Sequence, residues 1–342
     1  MRTFKGVNRR VALAAAAGAF AAAAFASGPA SAQVDTIRFA KGFGIPYLPV
    51  IILEEQKLVE KHTKELGVPA TAEFLQLASG AAMTEALISG NLDYPTGGPG
   101  PLLTVWDRTK GNINVKGISA ISSIPVYLNT INPAVKTLRD FTDKDRIAVP
   151  TVKVSTQAVT LQIAAEKEFG EGKHDVLDTY TVSMAPPDAH NAMMSKGTEI
   201  TANFTSPPFM YLQLEKDHAR RVISSYDVME GPTSFILMWT TERFHDANPK
   251  AHQAVLNALG EANAYIKENP RGAAEAFIKN QKSPLALEFV EEMISNEENI
   301  FTTEPQNLMK YATFMNKIGS IKNKPADWTE VFFPEVHGGK GS

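Results

Sequence analysis

Residues 36–100 repeat one arrangement three times: a short strand-like run, a turn of small residues, then a helix. Residues 36–40 alternate apolar and polar side chains, Gly42-Phe43-Gly44-Ile45-Pro46 breaks the run, and residues 48–62 read as a helix ending before Gly67. Residues 71–77 lead through Ser79-Gly80 into a helix over 81–89. Residues 91–94 lead through Gly97, Gly98, Pro99 and Gly100 into a third helix around 102–108. This is the signature of a doubly wound α/β layer, and it restricts the chain to architectures with strands packed between helices.

A further strand over 118–123 runs straight into 126–130, and a second α/β set follows. Strands are expected at 146–149, 180–184, 200–204 and 221–224, with helices at 156–169, 189–194 and 209–216. The strongly apolar run 234–240 then resumes the first layer. One lobe is therefore interrupted by another: residues 33–123 with 230–342 form lobe I, and 124–229 form lobe II. The last third is helical. Asn248-Pro249 and Asn269-Pro270 each place a capping residue before a proline, which is tolerated at the first helical position because its missing N–H has no partner there. The polar end 338–342 is expected to fray.

Residues 1–32 carry a basic start (Arg2, Lys5, Arg9, Arg10), an apolar run over 11–26 and the small-residue exit Ala30-Ser31-Ala32. That is the plan of a cleaved export leader, too short in its apolar part to span a bilayer. Arg9-Arg10 leaves the twin-arginine and general secretory routes both open. Loss of the leader moves the formal charge from −3 to −7. This argues against a nucleic-acid partner, which would need a basic face, and equally against a polybasic membrane surface. With no cysteine, the chain forms no disulfide, thiolate metal site or lipid anchor. A hydrophobic content of 44% over about 310 remaining residues suffices for a full core.

No zinc-protease pattern, Walker A loop, nucleophile elbow or complete dinucleotide fingerprint is present. The seven histidines show neither an i, i+4 pair nor a carboxylate set at ligand spacing, so no metal and no cofactor is expected. Glu291-Glu292 and Glu297-Glu298 read as a solvated face of a late helix. What stands out instead is Ser79 before Gly80, and Ser155-Thr156 before Gln157. Each places a hydroxyl cap and free backbone N–H groups at the top of a strand, where open α/β layers hold ligands. Lys41 and Lys153 are expected to flank such a cleft, with Tyr47, Phe204, Phe209 and Trp239 as candidate aromatic walls.

Three segments resemble the nitrate/taurine/aliphatic-sulfonate family of periplasmic substrate-binding proteins, which serve ABC importers. They are Ala86-Leu87-Ile88-Ser89-Gly90-Asn91-Leu92-Asp93, Ala148-Val149-Pro150 leading to Ser155-Thr156, and Asn248-Pro249-Lys250 through Ala258-Leu259 to Glu268-Asn269-Pro270. The resemblance implies a two-lobed, type II periplasmic-binding fold with a ligand cleft between the lobes and a helical C-terminal region. By position it implies lobe I contacts from Phe43, Gly44, Tyr47, Ser79, Gly80, Gly97 and Gly98. Lobe II contacts would come from Thr151, Lys153, Ser155, Thr156 and the 203–209 loop, with Asn203, Thr205 and Ser206; Trp239 joins the set as an aromatic wall. The implied protein is a monomeric periplasmic carrier that gives a small organic anion to an inner-membrane ABC permease and performs no catalysis. The alternatives are an enzyme like the thiamine pyrimidine-precursor synthases, which use a cysteine-rich motif that this chain lacks, and a sensory module on the same fold.

Overall fold

In the computed structural model, residues 34–342 are described apart from Lys196; the expected leader lies outside the described residues. The strands, in chain order, are β1 (Thr36–Lys41), β2 (Thr71–Gln76), β3 (Thr96–Gly97), β4 (Val115–Ser123), β5 (Tyr127–Thr130) and β6 (Ile147–Val149). They continue with β7 (Thr181–Ser183), β8 (Ala202–Thr205), β9 (Arg220–Ser224), β10 (Ser234–Thr241) and β11 (Ile300–Phe301). β1 and β2 pair in parallel, and β11-β4-β10-β3 form a second sheet in which β10 is antiparallel to both β4 and β3. A third sheet, ordered β7-β6-β8-β5-β9, is mixed: β6 is parallel to β7 and β8, while β5 is antiparallel to β8 and β9.

The molecule is thus two-lobed. The chain leaves the second sheet for the third between Ser123 and Tyr127 and returns to the second sheet between Ser224 and Ser234. The strand pair expected as one continuous run over 118–130 is the first crossing point, with β4 and β5 in different sheets. β10 returns to the first lobe and fills its centre, burying Trp239, Met238 and Leu237 completely.

Local chemistry explains where elements depart from the periodicity. The helix expected over 48–62 is two helices, Leu48–Glu55 and Leu58–Glu65, because Lys57 between them is left-handed at φ 52°. Residues 91–94 do not form a strand; they meet β1 at an isolated bridge between Phe39 and Tyr94, where Asp93 and Tyr94 N–H donate to the Arg38 carbonyl and Ala40 N–H donates to the Tyr94 carbonyl. The Asp93 carboxylate accepts the Arg38 backbone N–H at 2.9 Å and its guanidinium at 2.9 and 3.0 Å, so a side chain takes the place of a ladder partner. Asp93, in one of the family-like segments, therefore fixes the turn that leads into β3.

Of the two C-terminal caps, Asn269 accepts the Gly272 N–H at 3.1 Å, whereas the Asn248 side chain instead donates backwards to the Phe244 carbonyl. The C-terminal end is bonded and not frayed. Ser342 N–H donates to the Pro305 carbonyl at 3.0 Å, and the Ser342 carbonyl accepts from Leu308 N–H at 2.7 Å. Among the described residues no helix is long and apolar enough to cross a membrane.

Candidate functional site

The β2, β3 and β6 turns each release the chain into a helix at one shared recess of about 40 Å³ between the lobes. Ser79 precedes the helix Gly80–Ile88 in extended conformation, and its hydroxyl accepts the Ala82 N–H at 3.3 Å. On the other lobe Ser155 does the same for the helix Thr156–Phe169, accepting from Ala158 N–H at 3.3 Å. In both, the N–H groups of the first two helical residues precede any intrahelical bond and remain free to donate. Thr156 adds a hydroxyl that is buried and has no partner. Such a group carries a desolvation cost of about 1–3 kcal/mol until something accepts from or donates to it.

Two further helices reach the recess with different chemistry. Pro99–Thr109 follows Gly98 and carries Pro99 and Pro101 in its first turn; Pro186–Met194 opens with Pro186-Pro187. Proline has no N–H, so these starts present mainly carbon. Pro101 and Pro186 line the recess accordingly, with Pro150, Phe235 and Ile236.

The lobes meet closely, and glycine permits it. A Cβ on Gly98 would lie 1.7 Å from Thr156 Oγ1, and one on Gly100 would lie 2.3 Å from the Val154 carbonyl oxygen. Ile45 N–H also donates to the Pro207 carbonyl across the same gap at 3.1 Å. Backbone-to-backbone approach of this kind leaves no room for any other residue.

Of the residues singled out from sequence, the recess gathers Phe43, Tyr47, Ser79, Gly80, Gly97, Gly98, Ser155, Thr156 and Ser206. Gly44 lies beside them, at φ +98° against Pro207, and lines an adjoining vestibule. The others lie elsewhere. Thr151 is half-buried at the start of the loop and accepts the Ser155 N–H through its carbonyl, and Lys153 is exposed with a left-handed backbone at φ 62°. Asn203 and Thr205 are buried in β8, and the Trp239 ring packs beneath Gly97. Phe204 is wholly in the core. Sequence reading passed over Gln157, Phe235, Ile236, Pro101, Pro150 and Pro186. The proline-first helix starts were the one available signal for the wall.

Lys41 does not supply charge to the recess. It is buried and paired with Glu54, which also accepts from Asn280 at 2.8 Å. No lining residue is charged, so an anion would be met by helix N-termini, worth about 0.3–1 kcal/mol each, and by neutral hydroxyls. Burial pushes the Tyr47 phenol far above its ordinary range, so it too is a neutral donor.

The vestibule has a volume of about 380 Å³ and shares Phe43 with the recess; Phe209, Leu212, Phe277 and Leu285 make its wall apolar. A larger cavity, about 810 Å³, has no residue in common with the recess, and its Arg38 and Asp93 are already paired with each other. Against the expectation of no metal ligands, the fold also brings His245, His252 and Glu335 together, a grouping that sequence spacing hides.

The fold matches known ligand carriers. The alkanesulfonate-binding protein SsuA from Xanthomonas axonopodis pv. citri, bound to MOPS, superposes with a TM-score of 0.68 at 15% identity, over 89% of this chain and 98% of that one. The periplasmic aliphatic sulphonate binding protein SsuA from Escherichia coli gives 0.64 at 17%, over 87% and 92%. The periplasmic nitrate-binding protein NrtA from Synechocystis PCC 6803 gives 0.66 at 15%, over 87% and 84%. No curated protein sequence matches the chain. The model of the NMT1-like family matches residues 31–279, well over half of the length, and the chain belongs to that family.

Proposed function

We propose that the chain is an extracytoplasmic solute-binding protein of an ABC importer. It captures a small organic anion, sulfonate- or carboxylate-like, between two closing lobes and delivers it to a membrane permease. The observation that carries this reading is the pair of serine-capped helix starts, one from each lobe, that face one recess with the unpartnered Thr156 hydroxyl between them. Donors from both lobes reward closure, since a ligand shifts a conformational equilibrium only by binding one state better.

The two spaces divide the ligand. A recess of about 40 Å³ is far below the ~300–1,000 Å³ of pockets that enclose whole drug-sized molecules, so it takes an anionic head group. The apolar vestibule past Phe43 takes the organic part. The chain is read as a binding protein, in keeping with the family it belongs to and the binding proteins whose fold it shares; its recess lining offers hydrogen-bond donors and no charged side chain. The closing bodies are residues 34–123 with 230–342 and residues 124–229, a division supported by strand membership. The protein works as a periplasmic monomer, addressed by residues 1–32.

Calorimetry with methanesulfonate, butanesulfonate, benzenesulfonate, benzoate, benzamide and nitrate tests this, with X-ray scattering for compaction. An organic sulfonate or carboxylate should bind, compact the protein and outcompete both the uncharged amide and nitrate. Failure of every anion, or equal binding of benzamide, would overturn the reading.

A further inference from the structure

We infer that the first lobe carries a second site, remote from the recess, that binds one divalent zinc-type ion through His245, His252 and Glu335. The three side chains come from separate segments: the helix Glu242–Ala247, the helix Pro249–Glu268 and the C-terminal turn Pro334–Val336. One ligand atom of each lies within 4.8 Å of the others. A tetrahedral zinc ion with bonds of about 2.0–2.1 Å sets its ligand atoms about 3.3 Å apart. That value falls between the 2.9 Å separating His245 Nε2 from Glu335 Oε1 and the outer limit of the cluster. Small side-chain rotations admit the ion.

The outer partners already orient the rings for this task. His245 Nδ1 is 2.7 Å from the Asp246 carboxylate, leaving Nε2 turned to Glu335. His252 Nδ1 is 3.0 Å from the Tyr94 hydroxyl, leaving Nε2 as the nitrogen free to take a ligand. Imidazoles held through one nitrogen by an oxygen, with the other nitrogen directed inward, are the usual support of metal ligands. The independent observation is that His252 Nε2 is buried without any partner, in a residue only 2% exposed. A buried polar atom without a partner carries a desolvation cost that a bound ion would remove.

Phe333 stacks on the His245 ring at 4.0 Å and closes one side, while Glu335, one-third exposed, leaves an entry from solvent. Two imidazoles and one carboxylate leave a fourth position for water, a donor set suited to zinc and its first-row neighbours. Phe333 N–H donates to the Gly117 carbonyl of β4 at 2.9 Å, so the ion would clamp the C-terminal segment to the sheet in a chain that has no disulfide.

The test uses the full chain stripped with a chelator and titrated with Zn²⁺ by calorimetry and with Co²⁺ by visible absorption. The wild type should take up one equivalent of each ion, with tetrahedral Co²⁺ bands and a raised melting temperature. Glu335→Gln, a change on a surface turn, and His245→Asn should each weaken uptake at least about tenfold. His62→Gln serves as the reference, because His62 also sits between two carboxylates, Glu65 and Glu261. It should leave uptake unchanged. No stoichiometric binding, equal binding in Glu335→Gln and His245→Asn, or loss that follows His62 would each overturn the inference.

Discussion

Two kinds of helix start meet at the recess, and they do opposite things. Those at Ser79 and Ser155 are capped by a hydroxyl and keep their first N–H groups available, whereas those at Pro99 and Pro186 begin with residues that have no N–H to offer. Each lobe contributes one of each kind. The difference teaches that polarity here is set by backbone chemistry and not by charged side chains: serine starts make the donor floor, and proline starts make the wall.

The largest break in this arrangement is Gly98→Val. Gly98 has φ −89°, so the backbone accepts a side chain, but its Cβ would collide with Thr156 across the gap. Overpacking costs about 1–3 kcal/mol, which corresponds to roughly 5- to 150-fold weaker ligand binding, with native circular dichroism and no ligand-induced compaction in scattering. Thr156→Val keeps the shape and deletes the unpartnered hydroxyl. A hydrogen bond to a charged ligand is worth about 1.5–3 kcal/mol, so calorimetry should show a loss of about tenfold or more, while the unfolding midpoint of the unliganded protein should not fall and should rise as the unpaired hydroxyl is removed.

Asp145→Asn separates damage to the second lobe from loss of donors. Burial alone would raise the Asp145 pKa, but hydrogen bonds from Asn132, Thr142 and Thr201 outweigh it and hold the carboxyl below its ordinary value. Its contribution to stability is therefore present above the unfolded pKa of about 3.9 and lost as pH falls through the lower folded value. The variant should be less stable than wild type in urea at pH 7, the gap should close in acid, and ligand affinity at pH 7 should not change.

Ser155→Ala and Ser79→Ala each remove a cap worth about 1 kcal/mol. Urea titration should show that loss in both. Lys153→Ala, at an exposed lysine outside the lining, should alter affinity by less than about twofold; a larger effect would mean that charge matters after all.

Much of this was legible in the sequence because it is local. The helix Thr156–Phe169 has the bounds that its cap and periodicity predict, and β10 announces itself as an apolar run. The two serine starts are local signals as well. What the sequence hid depends on partners distant along the chain. Lys41 reads as a free cation until the first turn of chain brings Glu54 against it, and Asp93 reads as part of a strand until Arg38 claims its carboxylate. His245, His252 and Glu335 converge only after the C-terminal turn has crossed back onto the first lobe. The prolines were visible, but as punctuation; that they form a wall follows only from which helices point inward.

The division of donors between lobes bears on unloading. Because Gly80 belongs to one lobe and Thr156 and Gln157 to the other, the proposed guest would lose its hydrogen bonds to one side in a single motion when the lobes part. The recess lining carries no charged side chain, so release of the head group would depend less on ionic strength than on how easily the hinge opens.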